Sequence, residues 1–145
     1  MIHVVTGHIC SGKTTWVNER ARAGDVVIDL DRIATALKVD GSDQHEHEDY
    51  IVEAAAAARW TAIDRIVRLH ASGRFDVWII HAYPGAKDVA TYRRFGAAVM
   101  HLDVDHETLM DRARRTRGPK QLAHLAERLT QHPEGKSLHN EQKGL

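Results

Sequence analysis

The sequence predicts an α/β protein with three layers, in which a four- or five-stranded parallel sheet is flanked by helices. Three observations predict it: short apolar runs of strand length, helix-compatible segments between them, and glycines at the boundaries. Strands that alternate with helices favour parallel pairing through right-handed crossovers. The 145 residues suit one domain.

The first half of the chain follows the order strand, loop, helix, strand. Ile2–Thr6 is an apolar, β-branched run that ends at a glycine, as a buried parallel strand does. Residues 13–23 are compatible with a helix that Gly24 would end. A second strand is expected at 26–28, followed by Asp29 and Asp31.

The remaining elements continue the same alternation. A short helix is expected at 32–38, and Asp43 followed by Glu46 resembles a capping pair for a long helix that ends at Gly73. Further elements are a strand at 77–80, a helix at 88–95, a strand at 97–102, and helices at 107–117 and 121–131. The polar residues 132–145 predict a C-terminal tail outside a domain of residues 1–131.

Charge and composition exclude several classes of protein. Twenty lysines and arginines balance twenty aspartates and glutamates, so the chain lacks the positive field of a protein that wraps duplex nucleic acid. No apolar window approaches the roughly 18 residues of a membrane span, and no secretion signal opens the chain. Cys10 is the only cysteine. We therefore expect a cytoplasmic protein without membrane contact.

One motif predicts a nucleotide site. Residues 7–14, GHICSGKT, match the Walker A pattern GxxxxGK[ST] between a strand and a helix, where loop N–H groups can surround a phosphate. Lys13 would reach the β- and γ-phosphates of ATP, and the Thr14 hydroxyl would bind Mg²⁺. A chance glycine-rich turn is the alternative. The predicted nucleotide contacts are Gly7, His8, Ile9, Cys10, Ser11, Gly12, Lys13, Thr14 and Thr15.

Two carboxylates follow the second strand, at the edge where parallel sheets bind ligands. Alternate strand residues share a face, so Asp29 and Asp31 are both expected to point into one site. We assign Asp31 as the base for an acceptor hydroxyl and Asp29 as the carboxylate on the metal side. Alternatively, Asp29 ends the strand and Asp31 caps the next helix. Arg32 is either an acceptor ligand or an exposed helix residue.

A basic run near the C-terminus predicts a lid, at about residues 111–120, that closes over ATP. Helical spacing places Arg112 and Arg115 on one face, and Arg114 and Arg117 on another. One pair would face the phosphates while the other stays solvated. A fully solvated basic face is the alternative.

The third strand ends at His81 where an acid is expected, so the magnesium role moves to Asp29. His81 is a candidate acceptor contact, or is satisfied by backbone. Arg59 could hold a phosphate of the acceptor, although a packed Trp60 beside a solvated Arg59 is the favoured interpretation. His45 and His47 are expected on different helix faces, which disfavours a metal site there.

Residues 7–14, residues 29–32 and the arginine-rich segment that ends at Arg117 resemble the kinase domain of phage-type polynucleotide 5′-hydroxyl kinases and small phage P-loop relatives. The resemblance covers about residues 1–131 and implies a P-loop NTPase fold of the nucleoside-kinase type. It also implies that Lys13 and Thr14 bind ATP and Mg²⁺, that Asp31 is the general base, and that Arg117 contacts phosphates. Arg112 or Arg115 would be further lid contacts.

The expected activity is transfer of the γ-phosphoryl group of Mg-ATP to a hydroxyl acceptor, such as a nucleic acid 5′ end, a nucleoside or a modified base. The pattern of residues 29–31 also resembles small-metabolite kinases of the shikimate and gluconate type. Two further functions fit the same residues, namely a nucleoside monophosphate kinase and a non-catalytic ATP-binding module. The sequence leaves the acceptor, the purine preference and the oligomeric state open.

Overall fold

The computed structural model describes residues 1–131, and the predicted tail at 132–145 lies outside them. Within the described residues, four parallel strands form one sheet in the order β2-β3-β1-β4. The strands are β1 (Ile2–Thr6), β2 (Val26–Asp29), β3 (Val77–Ile80) and β4 (Ala98–His101). The predicted fold class, a P-loop NTPase fold with a parallel sheet, is therefore confirmed.

In the same part of the chain, six helices flank this sheet. They are α1 (Lys13–Asn18), α2 (Leu30–Ala36), α3 (Asp49–His70), α4 (Ala86–Arg94), α5 (His106–Thr116) and α6 (Pro119–Gln131). Within residues 1–131, none of these helices combines the length and the apolar character that a bilayer span requires.

The sheet separates two apolar layers. On one face, Val4 and Ile79 pack with Ile63 of α3 and Tyr92 of α4. On the other face, side chains of β1 and β3 pack with Val17 of α1. The alternation of strand residues therefore decides whether a side chain at a strand end faces α1 or α3.

Helices α5 and α6 form a third apolar cluster, built on Leu109, Leu125 and Leu129. Ile9 and Cys10, which belong to the loop after β1, pack against this cluster. The predicted lid segment thus lies at the junction of two helices that support the loop.

Several helices have boundaries that differ from the prediction, and α1 and α3 differ most. Helix α1 ends at Asn18, well before Gly24, and a separate turn follows in which Asp25 Oδ2 accepts the Arg22 amide at 2.9 Å. Helix α3 begins at Asp49 because Asp43 Oδ1 accepts the backbone amides of the following loop at 2.7 and 2.8 Å. The predicted capping pair at Asp43 was therefore wrong.

Helix α6 begins at Pro119, two residues before the predicted start. Proline suits the first helical position because its missing N–H would be unpaired there in any case. Helix α2 begins at Leu30, so Asp31 belongs to a helix and does not extend the strand. This shift changes the geometry of the acceptor side, that is, of Asp31 and the residues around it that are predicted to face the acceptor.

Candidate functional site

The loop after β1 requires glycine at two positions. Gly7 has φ 144° and Gly12 has φ 86°, both outside the range that L side chains normally adopt. A Cβ on Gly7 would also lie 2.8 Å from the backbone oxygen of Leu102. These glycines allow the chain to turn tightly from β1 into α1, as a phosphate-binding loop requires.

Lys13 lies inside this loop. Its Nζ donates to the backbone oxygens of Gly7 at 2.8 Å and His8 at 2.6 Å, and the side chain is buried. Burial lowers the pKa of Lys13 to about 8, although Asp29 and Asp31 oppose the shift. A phosphate that entered the loop would offset this loss of hydration, because its negative charge favours the protonated form of Lys13.

The variable residues of the loop serve as supports. His8 Nδ1 lies 3.0 Å from Tyr83 Oη, and Arg112 Nη1 donates to the Cys10 backbone oxygen at 3.1 Å. Cys10 has φ 64°, a strained value for a residue with a side chain. Packing of Cys10 against α5 and α6 holds the loop in this conformation. Thr14, by contrast, is exposed in the first turn of α1.

The prediction that Asp29 and Asp31 share a strand face was wrong, because Asp31 lies in α2. Asp29 pairs in register with Ile80, so its side chain lies on the α1 face, and its Oδ1 accepts the Asp31 amide at 3.1 Å. Burial and the nearby Asp31 carboxylate raise the pKa of Asp29. The alternative that Asp29 ends the strand is borne out, but Asp29 caps α2 and Asp31 does not.

Two histidines hold the Asp31 carboxylate. His47 Nε2 lies 2.9 Å from Oδ1, and His45 Nδ1 lies 3.4 Å from Oδ2. Lys38 Nζ, which can only donate, lies 3.4 Å from His47 Nδ1. The proton of His47 is therefore on Nε2, which donates to Asp31. The Asp31 side chain remains 45% exposed, so an acceptor can still reach it.

This contact was not predicted, because His45 and His47 were expected on a helix, where they would diverge. Both precede α3 in a loop that lets them converge on one carboxylate. Gln121 Nε2 donates to the His45 backbone oxygen at 2.8 Å, and Lys38 Nζ donates to that of Glu46 at 2.6 Å. The loop is thus tied to both α6 and the end of α2, which no local signal indicates.

The arginines of the basic run have different partners in the structure. Arg112 contacts the phosphate loop, and Arg117 is near enough to lower the pKa of Lys13. Arg115 instead forms an exposed ion pair with Asp111 at 2.8 Å. Of the three lid candidates, Arg112 and Arg117 therefore act on the phosphate loop, whereas Arg115 pairs with an acid of its own helix.

The other acceptor candidates fall into two groups. Arg32 is exposed and acts on Asp29 electrostatically. Arg59 is buried, so the expectation of a solvated Arg59 was wrong, and its Nη2 lies 3.4 Å from His81 Nε2. His81 Nδ1 lies 2.8 Å from Tyr92 Oη. Arg59 can only donate, so His81 Nε2 accepts and Nδ1 carries the proton.

Burial and Arg59 lower the pKa of His81 to about 4, so the residue that follows β3 is neutral at pH 7. Within residues 1–131, no three His, Cys, Asp or Glu side chains are arranged to hold a metal. Asp29 lies buried on the α1 face and acts electrostatically on Lys13, and Thr14 lies exposed in the first turn of the same helix α1.

A family model for an AAA domain matches residues 2–132, which is most of the chain. A search of curated proteins gives no match. The family match does not separate phage-type polynucleotide kinases from other members. Together with the loop geometry, it makes the chain a P-loop nucleotide-binding domain. The chain belongs to this AAA domain family, a P-loop NTPase-type family that includes kinases.

Proposed function

We propose that the chain is a P-loop kinase that transfers the γ-phosphoryl group of Mg-ATP to a hydroxyl. One observation carries the proposal: the half-exposed Asp31 carboxylate, held by His47, acts electrostatically on the buried Lys13 of the phosphate loop. A phosphate donor and a base are thereby available at one edge of the sheet. This is the combination that transfer to a hydroxyl needs.

In the proposed reaction, Asp31 accepts the proton of the acceptor hydroxyl. The hydroxyl oxygen then bonds to the γ-phosphorus, the bond from the γ-phosphorus to the β,γ-bridging oxygen breaks, and ADP leaves. His47 keeps Oδ1 of Asp31 occupied through its Nε2–H, whereas Oδ2 has only the longer 3.4 Å contact with His45, so Oδ2 is the oxygen that would accept the proton of the acceptor hydroxyl. The imidazole orients the base and does not itself react.

Lys13 and Arg117 would stabilise the negative charge that develops on the phosphoryl oxygens. Thr14 and Asp29 would hold Mg²⁺, which neutralises charge on the β- and γ-phosphates when it is bound. The loop amides preceding α1 would bind the β-phosphate. Arg112 holds the loop through Cys10, so it would support the donor site indirectly.

The acceptor we favour is a nucleic acid 5′-hydroxyl, a nucleoside or a modified base, as the resemblance to polynucleotide kinases suggests. A small-metabolite kinase would use the same residues. A nucleoside monophosphate kinase would not need Asp31 as a base, because its acceptor phosphate already carries negative charge. The behaviour of Asp31 variants therefore discriminates among acceptor classes.

A second candidate is a non-catalytic ATP-binding or switch module. Its support is the end of β3, where neutral His81 stands in the position usual for a metal-binding or water-activating carboxylate. Such a module would bind ATP without transferring its phosphate.

The test is incubation with γ-labelled ATP and a panel of 5′-hydroxyl DNA and RNA, nucleosides, nucleoside monophosphates and small sugars. Asp31→Asn should lower transfer to a hydroxyl by about 10²- to 10⁴-fold while ATP affinity stays within about twofold. Asp64→Asn is the matched control, because Asp64 forms an exposed ion pair with Arg68 on α3.

Absence of labelled product from every acceptor would favour the binding module. Unchanged transfer by Asp31→Asn would reject Asp31 as the base and favour an acceptor that is already ionised.

A further inference from the structure

Arg59 interrupts the buried stripe of α3. Ala55 and Ile63, four residues before and after it, are both 0% exposed, and Arg59 itself is 7% exposed. Residues four apart share a helix face, so the Arg59 side chain points toward the sheet and away from water. A guanidinium keeps its positive charge in proteins. The fold therefore buries a cation in a position that α-helical patterning reserves for an apolar residue.

The hydrogen-bonding groups of Arg59 are poorly satisfied by the part of the chain that the structure describes. Its Nη2 donates to His81 Nε2 at a long 3.4 Å. Its Nε is buried and has no partner among residues 1–131. Buried polar groups in folded proteins are almost always hydrogen-bonded, so an exception of this kind needs an explanation.

The charge of Arg59 also lacks a counter-ion in the described residues. Within residues 1–131, no carboxylate forms an ion pair with it. Asp88 is the nearby acid: its Oδ2 accepts the Gly85 amide at 3.0 Å and lies 4.0 Å from His81 Nε2, but it forms no ion pair with the guanidinium itself. The adjacent His81 and Tyr92 are neutral, because burial shifts the pKa of each away from its charged form.

The position of Arg59 relates it to the acceptor side. His81 continues the alternation of β3 on the face of Ile79, which is covered by α3, whereas Asp29 lies on the α1 face. The guanidinium of Arg59 contacts His81, whereas Nζ of Lys13 donates to the loop oxygens of Gly7 and His8. Since β3 lies between β2 and β1, the guanidinium is still at the sheet edge that carries Asp31.

We propose that Arg59 binds an oxyanion of the acceptor, a phosphate or a carboxylate group, at the end of β3. The inference rests on the proposed function and deepens it, because it makes the acceptor an anionic hydroxyl compound. A guanidinium binds either oxyanion through two parallel N–H···O bonds. The bound anion supplies both the hydrogen bonds and the negative charge that residues 1–131 do not provide.

The test compares the full chain with Arg59→Met and Arg68→Met, each saturated with Mg²⁺ and a non-hydrolysable ATP analogue so that the γ-phosphate position is filled. Inorganic phosphate and acetate are titrated separately and followed by calorimetry. Arg68 is the matched control because it is an exposed arginine on the same helix, paired with Asp64.

The parent chain and Arg68→Met should bind phosphate or acetate, and the anion that binds identifies the group. Arg59→Met should bind it at least about tenfold more weakly. Without added anion, Arg59→Met should melt at the same or a higher temperature than the parent chain, because it removes a buried charge.

Three results would overturn the inference. The first is equal anion affinity of Arg59→Met and the parent chain, and the second is weaker binding of the ATP analogue alone, which would assign Arg59 to the donor. The third is a large fall in the melting temperature of Arg59→Met, which would mean that the protein compensates the charge.

The outcome is separable from that of the proposed function. If the parent chain phosphorylates nothing but Arg59→Met loses anion binding, the kinase proposal fails and the Arg59 site stands. If the parent chain and Arg59→Met phosphorylate a neutral acceptor with the same kcat/KM, the kinase proposal stands and the Arg59 inference fails.

Discussion

The phosphate loop and the acceptor side contrast in how far apart their partners lie in the sequence. In the loop, Lys13 bonds to Gly7 and His8, which are six and five residues away. On the acceptor side, His45 and His47 lie 14 and 16 residues from Asp31. The first arrangement is fixed by one short segment, and the second requires that several elements pack correctly.

This difference also appears in the supports of each region. The loop needs two glycines and the start of α1, all within residues 7–14. The loop that carries His45 and His47 is tied to α6 by Gln121 and to the end of α2 by Lys38. We therefore expect substitutions in the loop to affect nucleotide binding directly, and substitutions around Asp31 to affect transfer without loss of nucleotide.

Within the phosphate loop, the largest expected effect is that of Lys13→Met. Loss of the charge that neutralises the γ-phosphate should lower transfer by about 10²- to 10³-fold and weaken ATP binding. The fold should persist, because methionine removes a buried charge whose pKa burial already lowers to about 8. Labelled transfer and calorimetric ATP binding measure both effects.

Lys87→Met, an exposed change on α4, is the control and should leave both quantities unaltered. If ATP affinity were unchanged in Lys13→Met, the contrast between the phosphate loop and the residues around Asp31 would be wrong, because substitution in the loop would not affect nucleotide binding.

A smaller effect is expected for His47→Ala. Without the Nε2 donor, the Asp31 carboxylate keeps only its longer 3.4 Å contact with His45, and kcat should fall by about 10- to 100-fold while the KM for ATP stays constant. His47→Gln keeps an N–H donor on a side chain of similar reach and should recover most of kcat. Steady-state kinetics of the three proteins test this.

Gln44→Ala, an exposed neighbour in the same loop, is the matched control for His47. If His47→Ala and His47→Gln lowered kcat equally, His47 would have a packing role and would not position the base.

Next in size is the pH dependence of nucleotide affinity. The pKa of Lys13 is about 8, and phosphate binding needs the charged form. Affinity should therefore be full well below this pKa and fall about tenfold between about pH 7 and pH 9. Calorimetric titrations across this range measure it, and the slope should vanish in Lys13→Met.

The pH dependence that Lys13 gives to the free energy of unfolding is opposite to that of nucleotide affinity. Its folded pKa lies below the ordinary value of 10.5, so between about pH 8 and 10.5 the unfolded chain binds more protons. The contribution of Lys13 to the free energy of unfolding should then rise with pH in that window. A parallel decrease of affinity and of this contribution would contradict the assigned pKa.

The smallest expected effect is that of Gly12→Ala. No atom lies within 4 Å of an added Cβ, so the cost is that of a left-handed backbone at φ 86°, about 1–2 kcal/mol in the free energy of unfolding. Gly7→Ala should cost more, because its Cβ would meet the Leu102 oxygen at 2.8 Å. Urea unfolding of both variants tests the order, which a reversed ranking would refute.

The sequence predicted several elements well. Ile2–Thr6 and Val77–Ile80 form strands at the predicted residues, because short apolar runs with β-branched side chains suit the centre of a parallel sheet. The start of α3 was misplaced because the carboxylate of Asp43 can cap either a helix or a turn. Local pattern does not choose between the two.

The candidate site also combines features that a local sequence pattern indicates with features that it does not. The roles assigned to Lys13 and Thr14 follow from residues that are adjacent in the chain. The burial of Arg59 was missed because an arginine in an alanine-rich helix is usually solvated, and only the packing of α3 on the sheet placed it inward.

What the sequence determined by itself is the phosphate loop and the α/β alternation, since glycine geometry and hydrophobic periodicity are local properties of the chain. What only the tertiary structure decided is the acceptor side: the two histidines on Asp31, the face to which Asp29 points, and the buried charge of Arg59. Those contacts depend on strand register and helix packing, which join residues too far apart in the sequence for any local pattern to specify.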